Sequence, residues 1–430
     1  MPDDPAPSAP SAPSAPDPIP FAPDPIPFAV LRPAIVYSIL FGAQGAYLPY
    51  IGIYLASTGL DLGTVGALIA LFAVVSVVAA PWWGALADAS GDIRGPVAVA
   101  GVLSGVAVLA LALAIGPVLI ALAIVFLAAA WAGIIPMIDS RAVRMVGHRD
   151  RFGQARAPGS GAFVVIAFAT GAVLTVTGPT GMFLVYGPLV VLTGLSAWLL
   201  LRLPGTGSAT VRDRRDRSGS GPGLSAISPA TILGVLRTPR LGIFFLASVA
   251  VWMSHSALLG FISLRVVELG GSSTLVAATW SLGAIVEVPL MYAFPALARR
   301  FGAERLMLVG AVAFAIRALA SAVVEDPALI VLVAPFGGVG FAFFYIGTVT
   351  WVSGSVGRRV QATAQGVFTG TAQSVGQIGG SIIGGAIGAQ FGLPTLFWIA
   401  AVGYLVGGVL VWFGLVRRTG STRTSGAPAG

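Results

Sequence analysis

Four charged side chains stand inside or at the ends of long apolar segments, where they can do chemistry. Asp139 closes one apolar run and Arg156 opens the next. Glu287 is the only acid inside an apolar run in the second half of the chain, and Arg317 is the only arginine well inside such a run. A charge inside a bilayer is costly unless it is paired or hydrated. These four residues are therefore candidates for binding a polar solute or for handling a proton.

Glu287 and Arg317 have the chemistry of a proton-coupling pair. The low dielectric of the bilayer interior disfavours a bare carboxylate, so Glu287 is a candidate proton carrier. A nearby Arg317 would lower its affinity for the proton in one conformation. The alternative is a static buried ion pair that holds the helices together.

Several uncharged side chains could line a polar cavity. Tyr47 shares a helical face with Tyr50 and Tyr54 by three-and-four spacing. His255 and Gln373 stand in later apolar runs. We select Tyr47, His255 and Gln373 as candidate solute contacts. The alternatives are an aromatic anchor at the membrane interface and a hydrogen-bonded structural histidine.

Twelve apolar runs must position these side chains. Each is long enough to cross a bilayer, and only a helix satisfies its own backbone in lipid. The predicted spans are 30–56, 62–82, 96–115, 117–138, 157–177, 181–201, 241–263, 273–297, 305–324, 328–352, 363–388 and 393–416.

The charges between these runs predict the topology. Apart from Arg156, Arg265 and Arg317, arginine is confined to the tails and to every second gap. The remaining gaps hold mainly acids: Asp61, Glu268 beside Arg265, Glu325 and Asp326. Because arginine-rich loops stay in the cytoplasm, we expect a multi-pass protein of the cytoplasmic membrane with both termini inside the cell.

Composition limits the function further. The 430 residues are 56% hydrophobic and 9% charged, with a mean hydropathy of +0.92, whereas soluble domains carry about 25% charge. The net charge is +8. The basic residues lie at helix ends, where they attract anionic lipid head groups, so we expect no nucleic-acid partner. The chain has no cysteine and two histidines. With no cluster of catalytic residues and no phosphate-binding loop, we expect no enzyme activity, metal or cofactor.

The sequence divides into two similar halves. We predict a proline-rich cytoplasmic tail, a six-helix bundle, a polar cytoplasmic linker, a second six-helix bundle and a short tail, at 1–28, 29–201, 202–240, 241–416 and 417–430. The segment from Leu86 to Gly91 resembles the segment from Leu297 to Gly302 in the second half. Two similar halves around a central cavity are typical of secondary transporters.

A short loop after the second span carries the clearest motif. Gly84, Asp88, Gly91 and Arg94 stand there in the sequence WGALADASGDIR. Glycines allow two helices to meet closely, and the aspartate can face arginines and a helix N-terminus. This stretch resembles the loop motif of the major facilitator superfamily, which implies a gate on the cytoplasmic side.

Further segments resemble one branch of that superfamily, which holds lactose permease, the nucleoside–proton symporters and the phenylpropionate permeases. The segments are GAYLPY at 45–50, the stretch from Pro136 to Asp139, FGQARAPGS at 152–160, Glu287 with Pro289, and AIRAL at 315–319. The resemblance implies that Asp139 and Arg156 hold substrate hydroxyls and that Phe163 stacks on a sugar ring. The alternatives are a structural ion pair at the gate and a lipid-facing phenylalanine.

The chain also departs from lactose permease. A histidine and a glutamate of its tenth span are replaced near Gly337 and Gly340, and an acid–lysine pair is replaced by neutral residues around Trp252 and Gln373. If protons are coupled, the resemblance therefore leaves Glu287 and Asp139 to carry them.

The sequence as a whole predicts an all-helical membrane protein of twelve helices in two pseudo-symmetric bundles, the major facilitator fold. We expect a monomeric secondary transporter that moves a small organic solute by alternating access, with proton symport as the favoured mode. Proton-antiport efflux of an amphiphilic compound is the first alternative. A non-transporting sensor or scaffold on the same fold is the second.

Overall fold

The computed structural model describes residues 28–146, 149–202, 239–355 and 366–416, and these residues form helices and short connections without a strand. Both predicted tails and nearly all of the predicted linker lie outside these ranges.

Long apolar helices make up nearly all of the described chain. Eleven of them can cross a bilayer, and the last is two helices joined at Gly392, whose φ of 82° breaks the helical path, so the count of spans is 11 + 1 = 12. We number them spans 1 to 12, with span 11 before Gly392 and span 12 after it. Their bounds are Val30–Ser57, Leu62–Ser90, Arg94–Leu113, Pro117–Val146, Phe152–Thr177, Pro179–Leu200, Arg240–Glu268, Ser273–Phe301, Ala303–Val323, Pro327–Ser355 and, for spans 11 and 12 together, Gly370–Val416.

Two spans are interrupted near a proline. Span 1 consists of the helices Phe28–Tyr47 and Ile51–Ser57, joined by a turn that contains Pro49. Span 4 consists of Pro117–Trp131 and Ile134–Val146, with Pro136 in the first turn of the second helix. Proline has no amide hydrogen to donate to the preceding turn, so the helical hydrogen-bond pattern breaks there.

Several helices extend past the apolar segments that predicted them. Span 2 continues to Ser90 and span 8 to Phe301, whereas the predictions ended at residues 82 and 297. Helical hydrogen bonding does not require apolar side chains, so the backbone continues into the polar ends. Both helices stop at a glycine with positive φ, Gly91 at 68° and Gly302 at 87°, a conformation that glycine adopts without strain.

The two halves use the same packing scheme. In the first half, span 1 packs on spans 5 and 6, span 3 on spans 4 and 6, and span 2 on span 4. In the second half, span 7 packs on spans 11 and 12, span 9 on spans 10 and 12, and span 8 on span 10. Each contact recurs with six added to both numbers. The predicted fold, twelve helices in two pseudo-symmetric bundles, is confirmed.

The halves meet along two equivalent pairs, span 2 with span 11 and span 5 with span 8. We call the end of the bundle with Asp61, Glu268 and Asp326 the acidic end, and the opposite end, with Arg94 and Arg300, the arginine end.

Backbones approach most closely at the acidic end. A Cβ added to Gly66 on span 2 would lie 2.8 Å from the Cα of Gly385 on span 11. A Cβ on Gly171 of span 5 would lie 2.9 Å from the carbonyl oxygen of Ser273 on span 8. The Tyr50 hydroxyl, which donates to the Ala167 carbonyl oxygen of its own half at 2.7 Å, also lies 3.3 Å from the Ser273 carbonyl oxygen of the other half. Larger side chains at these glycines would separate the halves.

No equivalent approach is found at the arginine end within the described residues. A Cβ on Gly84 would meet no described atom within 4 Å, and Tyr292 on span 8 is 64% exposed. All four ion pairs between described residues join side chains of the same half. Among the residues that the structure describes, the halves are therefore joined chiefly at the acidic end.

Candidate functional site

A cavity of about 540 Å³ lies between the two halves. Its volume falls in the range of about 300–1,000 Å³ that is usual for small-molecule sites. Residues of spans 1, 2 and 4 line one side, and residues of spans 7, 8, 10 and 11 line the other. Both bundles therefore contribute to one site.

The described lining combines aromatic faces with uncharged hydrogen-bonding groups. It includes no aspartate, glutamate, lysine or arginine. Its aromatic members are Tyr47, Phe72, Trp252, Trp280 and Phe341, and its polar members include His255, Ser256, Ser263, Gln373, Ser374 and Gln377. Such a surface can stack on a planar or ring-shaped solute and bind its hydroxyl or carbonyl groups without an ion pair.

Three of the predicted solute contacts line this cavity. Tyr47 comes from span 1, His255 from span 7 and Gln373 from the start of the Gln373–Val411 helix. The Tyr47 ring packs on Tyr186 with a centroid separation of 4.7 Å. The His255 ring meets Trp252 edge to face at 5.3 Å. The structure thus brings together the uncharged candidates from both halves.

Asp139 and Arg156 meet each other away from that cavity. The Nη1 atom of Arg156 lies 3.2 Å from Oδ1 of Asp139, and the Tyr37 hydroxyl donates to the same oxygen at 2.5 Å. The Arg156 guanidinium also lies over the Phe41 ring, 4.9 Å from its centroid. Tyr37 precedes Tyr47 by ten residues, about 15 Å along a helix axis. The pair therefore lies nearer the arginine end than the cavity does.

Phe163 is likewise absent from the cavity lining. Its backbone carbonyl packs against Gly45 of span 1, and its side chain is partly buried. The roles of Asp139, Arg156 and Phe163 in solute binding stay predictions.

Glu287 and Arg317 do not form an ion pair. The Arg317 guanidinium lies against Gly337 of span 10, at the place where a Cβ would stand, while the backbone of Glu287 approaches the next residue, Gly338. Arg317 is 5% exposed, and its Nε finds no hydrogen-bond partner among the described residues. The Glu287 side chain makes no hydrogen bond or ion pair with any residue that the structure describes. The helices that carry the two residues, spans 8 and 9, both pack on span 10, and the two side chains stay unpaired in this conformation.

In the predicted gating motif, the acid that contacts the arginines is not Asp88. Asp88 is exposed and has no partner among the described residues. Arg94 pairs instead with Asp92, Nε to Oδ2 at 2.6 Å, and Arg141 of span 4 reaches the other oxygen at 3.2 Å.

Asp92 is thus the anion that links these arginines, and sequence reasoning missed it. Partial burial alone would raise the pKa of Asp92. Hydrogen bonds from Arg94 and the charge of Arg141 outweigh that effect, so the pKa lies below the usual value. Arg141 also donates from Nε to the carbonyl oxygen of Leu201 at the end of span 6, 2.9 Å away. These contacts of Asp92, Arg94 and Arg141 connect the ends of spans 3, 4 and 6.

Sequence reasoning also missed most of the cavity wall on span 7. Trp252, His255, Ser256, Leu259 and Ser263 follow one another at spacings of three, one, three and four residues, which places them on one face of a helix. That stripe of polar and aromatic side chains is visible in the sequence and could have identified the wall. The hydrogen bond from Trp280 Nε1 to Ser263 Oγ, 3.0 Å long, depends on the fold.

Known proteins share this architecture. The maltose permease of Geobacillus stearothermophilus is 27% identical over 396 residues, covering 91% of this chain and 95% of the relative. The uncharacterized transporter YwbF of Bacillus subtilis (strain 168) is 26% identical over 380 residues, covering 87% and 88%. The crystal structure of the nucleoside transporter NupG superposes with a TM-score of 0.76 at 18% identity, over 90% of this chain and 98% of that one. The last likeness concerns the fold alone.

The family itself follows from a match along most of the sequence. The family model described as the MFS_1 like family matches residues 30–399, from the first span into the last. With the twelve helices, the repeated packing and the cavity between the halves, this match identifies the chain as a transporter and not an enzyme. It belongs to the MFS_1 like family of the major facilitator superfamily.

Proposed function

We propose that this transporter moves a small, uncharged organic solute across the cytoplasmic membrane by alternating access, together with a proton in the same direction. The cavity between the halves carries the proposal. Its lining offers aromatic faces and neutral hydrogen-bonding groups, which suit a sugar or a nucleoside better than an ion.

The solute class is consistent with the relatives. One relative is a maltose permease and one fold neighbour is a nucleoside transporter. Both names describe molecules with several hydroxyl groups attached to a ring system. Tyr47, His255 and Gln373 are the contacts that we propose for such a solute, with one from the first half and two from the second.

Proton coupling is proposed from Glu287. Its carboxyl group lies within span 8 and has no ion-pair partner among the described residues. A carboxyl group in that setting can be neutral in one conformation and ionised in another, when a cation or water reaches it. Arg317 stands on span 9, and spans 8 and 9 both pack on span 10, so a shift of span 10 would change the distance between the two charges.

The second candidate function is efflux by proton antiport. The aromatic share of the lining favours it, because an amphiphilic compound would bind to the same rings. Symport and antiport differ in the direction of proton movement, so one assay separates them.

The assay uses proteoliposomes with a pH-sensitive dye inside. Maltose and uridine are first tested for thermal stabilisation of the purified protein. The compound that stabilises it is then added outside, with no pH gradient. Under symport the interior acidifies, and under antiport it becomes more alkaline. Protein-free liposomes are the control. A stabilising compound that moves no protons would refute coupling and leave facilitated diffusion.

A further inference from the structure

The buried hydroxyl of Tyr404 restricts what His255 can offer to a solute. Tyr404 of span 12 is 0% exposed, and its oxygen lies 3.3 Å from Nδ1 of His255. Its ring stacks on Phe314 at 4.9 Å, and His255 packs on the same Phe314 at 4.8 Å. The hydroxyl therefore stands behind the histidine, on the side away from the cavity.

The donor in this hydrogen bond can be assigned by accounting for the single phenolic proton. A buried hydroxyl needs an acceptor for its hydrogen. Among the described residues, Nδ1 of His255 is the only polar atom within hydrogen-bond distance of it. Arg317 acts electrostatically on both residues, but a guanidinium is a donor only and cannot take the proton. The hydroxyl must therefore donate to Nδ1.

This assignment fixes the remaining ring nitrogen. A neutral imidazole carries one hydrogen, and an Nδ1 that accepts a bond leaves that hydrogen on Nε2. His255 lines the cavity and is partly exposed there. With Nδ1 occupied by Tyr404, Nε2 is the polar atom of the ring that is left for a solute.

We propose that Tyr404 is a positioning residue that holds His255 in the Nε2–H tautomer, so that His255 selects solutes that present a hydrogen-bond acceptor. Suitable acceptors are a hydroxyl or carbonyl oxygen or an unprotonated ring nitrogen. This inference rests on the proposed function for the nature of the solute, while the tautomer itself does not depend on it.

The tautomer can be measured without any solute. The chain has two histidines, so His148→Gln leaves His255 as the only imidazole. With ¹⁵N-labelled histidine in lipid nanodiscs at mildly alkaline pH, the nitrogen shifts distinguish the two tautomers. We expect the Nε2–H form in this background and a mixture of both forms after Tyr404→Phe. Tyr186→Phe also removes a buried hydroxyl, on span 6 of the other half and without a hydrogen bond to His255, and should leave the spectrum unchanged.

Two results would overturn the inference. One is an Nδ1–H tautomer in the His148→Gln protein, which decides the matter even if Tyr404→Phe does not fold. The other is an unchanged single tautomer after Tyr404→Phe, which would show that the hydroxyl is not the cause.

A binding experiment tests the consequence for the solute. His255→Gln keeps an N–H donor near the Nε2 position, whereas His255→Phe keeps a flat ring without a donor. We expect His255→Phe to raise the Kd for maltose or uridine about three- to tenfold, the usual effect of one lost hydrogen bond, and His255→Gln to raise it less. Equal Kd values for both variants and the parent would contradict the donor role. If neither compound binds the parent, the proposed solute class fails, and the tautomer measurement alone decides this inference.

Discussion

Glu287 and Arg317 show how two single residues can set the electrostatics of a bundle without touching. Two adjacent glycines of span 10 lie beside them: Gly337 faces the Arg317 guanidinium, and Gly338 faces the backbone of span 8 at Glu287. A side chain at either glycine would displace the guanidinium or the backbone of span 8. A shift of span 10 would therefore act on the Arg317 guanidinium and on the helix that carries Glu287.

Glu287→Gln tests the proposed proton carrier. The amide cannot release a proton but keeps the shape of the side chain. We expect exchange of solute across the membrane to continue, because the amide resembles the protonated carboxyl group and exchange needs no release of the proton, while accumulation against a gradient is lost. Radiolabelled solute in proteoliposomes measures both. Glu325→Gln, at an exposed connection, is the matched control, and normal accumulation by Glu287→Gln would remove Glu287 from the mechanism.

Arg156→Ala tests the pair near the arginine end. In this conformation Arg156 forms an ion pair with Asp139 and does not line the cavity. We propose that the pair reaches the solute when the arginine end closes, so the variant should weaken solute binding about tenfold or more, as for hydrogen bonds to a charged group. Ligand-dependent thermal shift gives the measurement, with Arg202→Ala as the control. Undiminished binding would assign Arg156 to the architecture of the gate.

At the scale of helices, Asp92 is one of the carboxylates that join the end of span 4 to its neighbours. Arg141 is 7% exposed, and Asp92 supplies its anionic partner. Asp92→Asn should destabilise the protein by about 1–2 kcal/mol, toward the low end because the Asp92 side chain is 35% exposed. Thermal unfolding in detergent measures the effect, and Glu325→Gln should change little.

The pH dependence of this cluster has a definite sign. Because the pKa of Asp92 is lower in the folded protein than in the unfolded chain, its stabilising effect is complete at neutral pH. The effect is lost as the pH falls below about 4, the ordinary value for aspartate. The stability difference between Asp92→Asn and the parent should therefore shrink on acidification, and a constant difference would contradict the role of the ionised form.

Substitutions of glycines between the halves should affect the acidic end and the arginine end differently. Gly66→Val would collide with span 11 and should open the acidic end, whereas Gly84→Val meets no described atom in this conformation. Gly84→Val should matter only when the arginine end closes, and Gly161→Val, also in open space, is the control. Since the chain lacks cysteine, spin labels at Thr58→Cys and Glu325→Cys report the separation of the acidic ends. An unchanged distance in Gly66→Val would refute the gate.

Helix number and order were predictable because apolar length and charge alternation act locally along the chain. The uncharged cavity candidates were also found, since polar side chains are rare in these spans. The contacts between residues far apart in the sequence could not be predicted. The acid between Arg94 and Arg141 is Asp92 and not the motif residue Asp88, because helix ends far apart in sequence decide which carboxylate is in reach. The position of the Arg317 guanidinium depends in the same way on Gly337 of span 10, where a side chain would displace it.

At the scale of the whole molecule, the repeat explains why the site lies between the halves. Span 2 meets span 11 as span 8 meets span 5, so each half supplies equivalent surfaces to the other. We expect that rocking one half against the other closes the arginine end and opens the acidic end. The cavity stays between the halves during such a motion, and a solute there would change its side of access.

The direction of that access depends on orientation, which the charges predict. Arginines cluster at one end, so we expect that end in the cytoplasm and the acidic end outside. Thr58→Cys, in the exposed connection before span 2, and Ala89→Cys, at the exposed far end of span 2, place single thiols at opposite ends of the bundle in a chain without cysteine. In intact cells, a membrane-impermeant maleimide should label Thr58→Cys at once and Ala89→Cys only after the membrane is permeabilised. The reverse pattern would invert the topology, and the state described here, joined at the acidic end, would then face the outside of the cell.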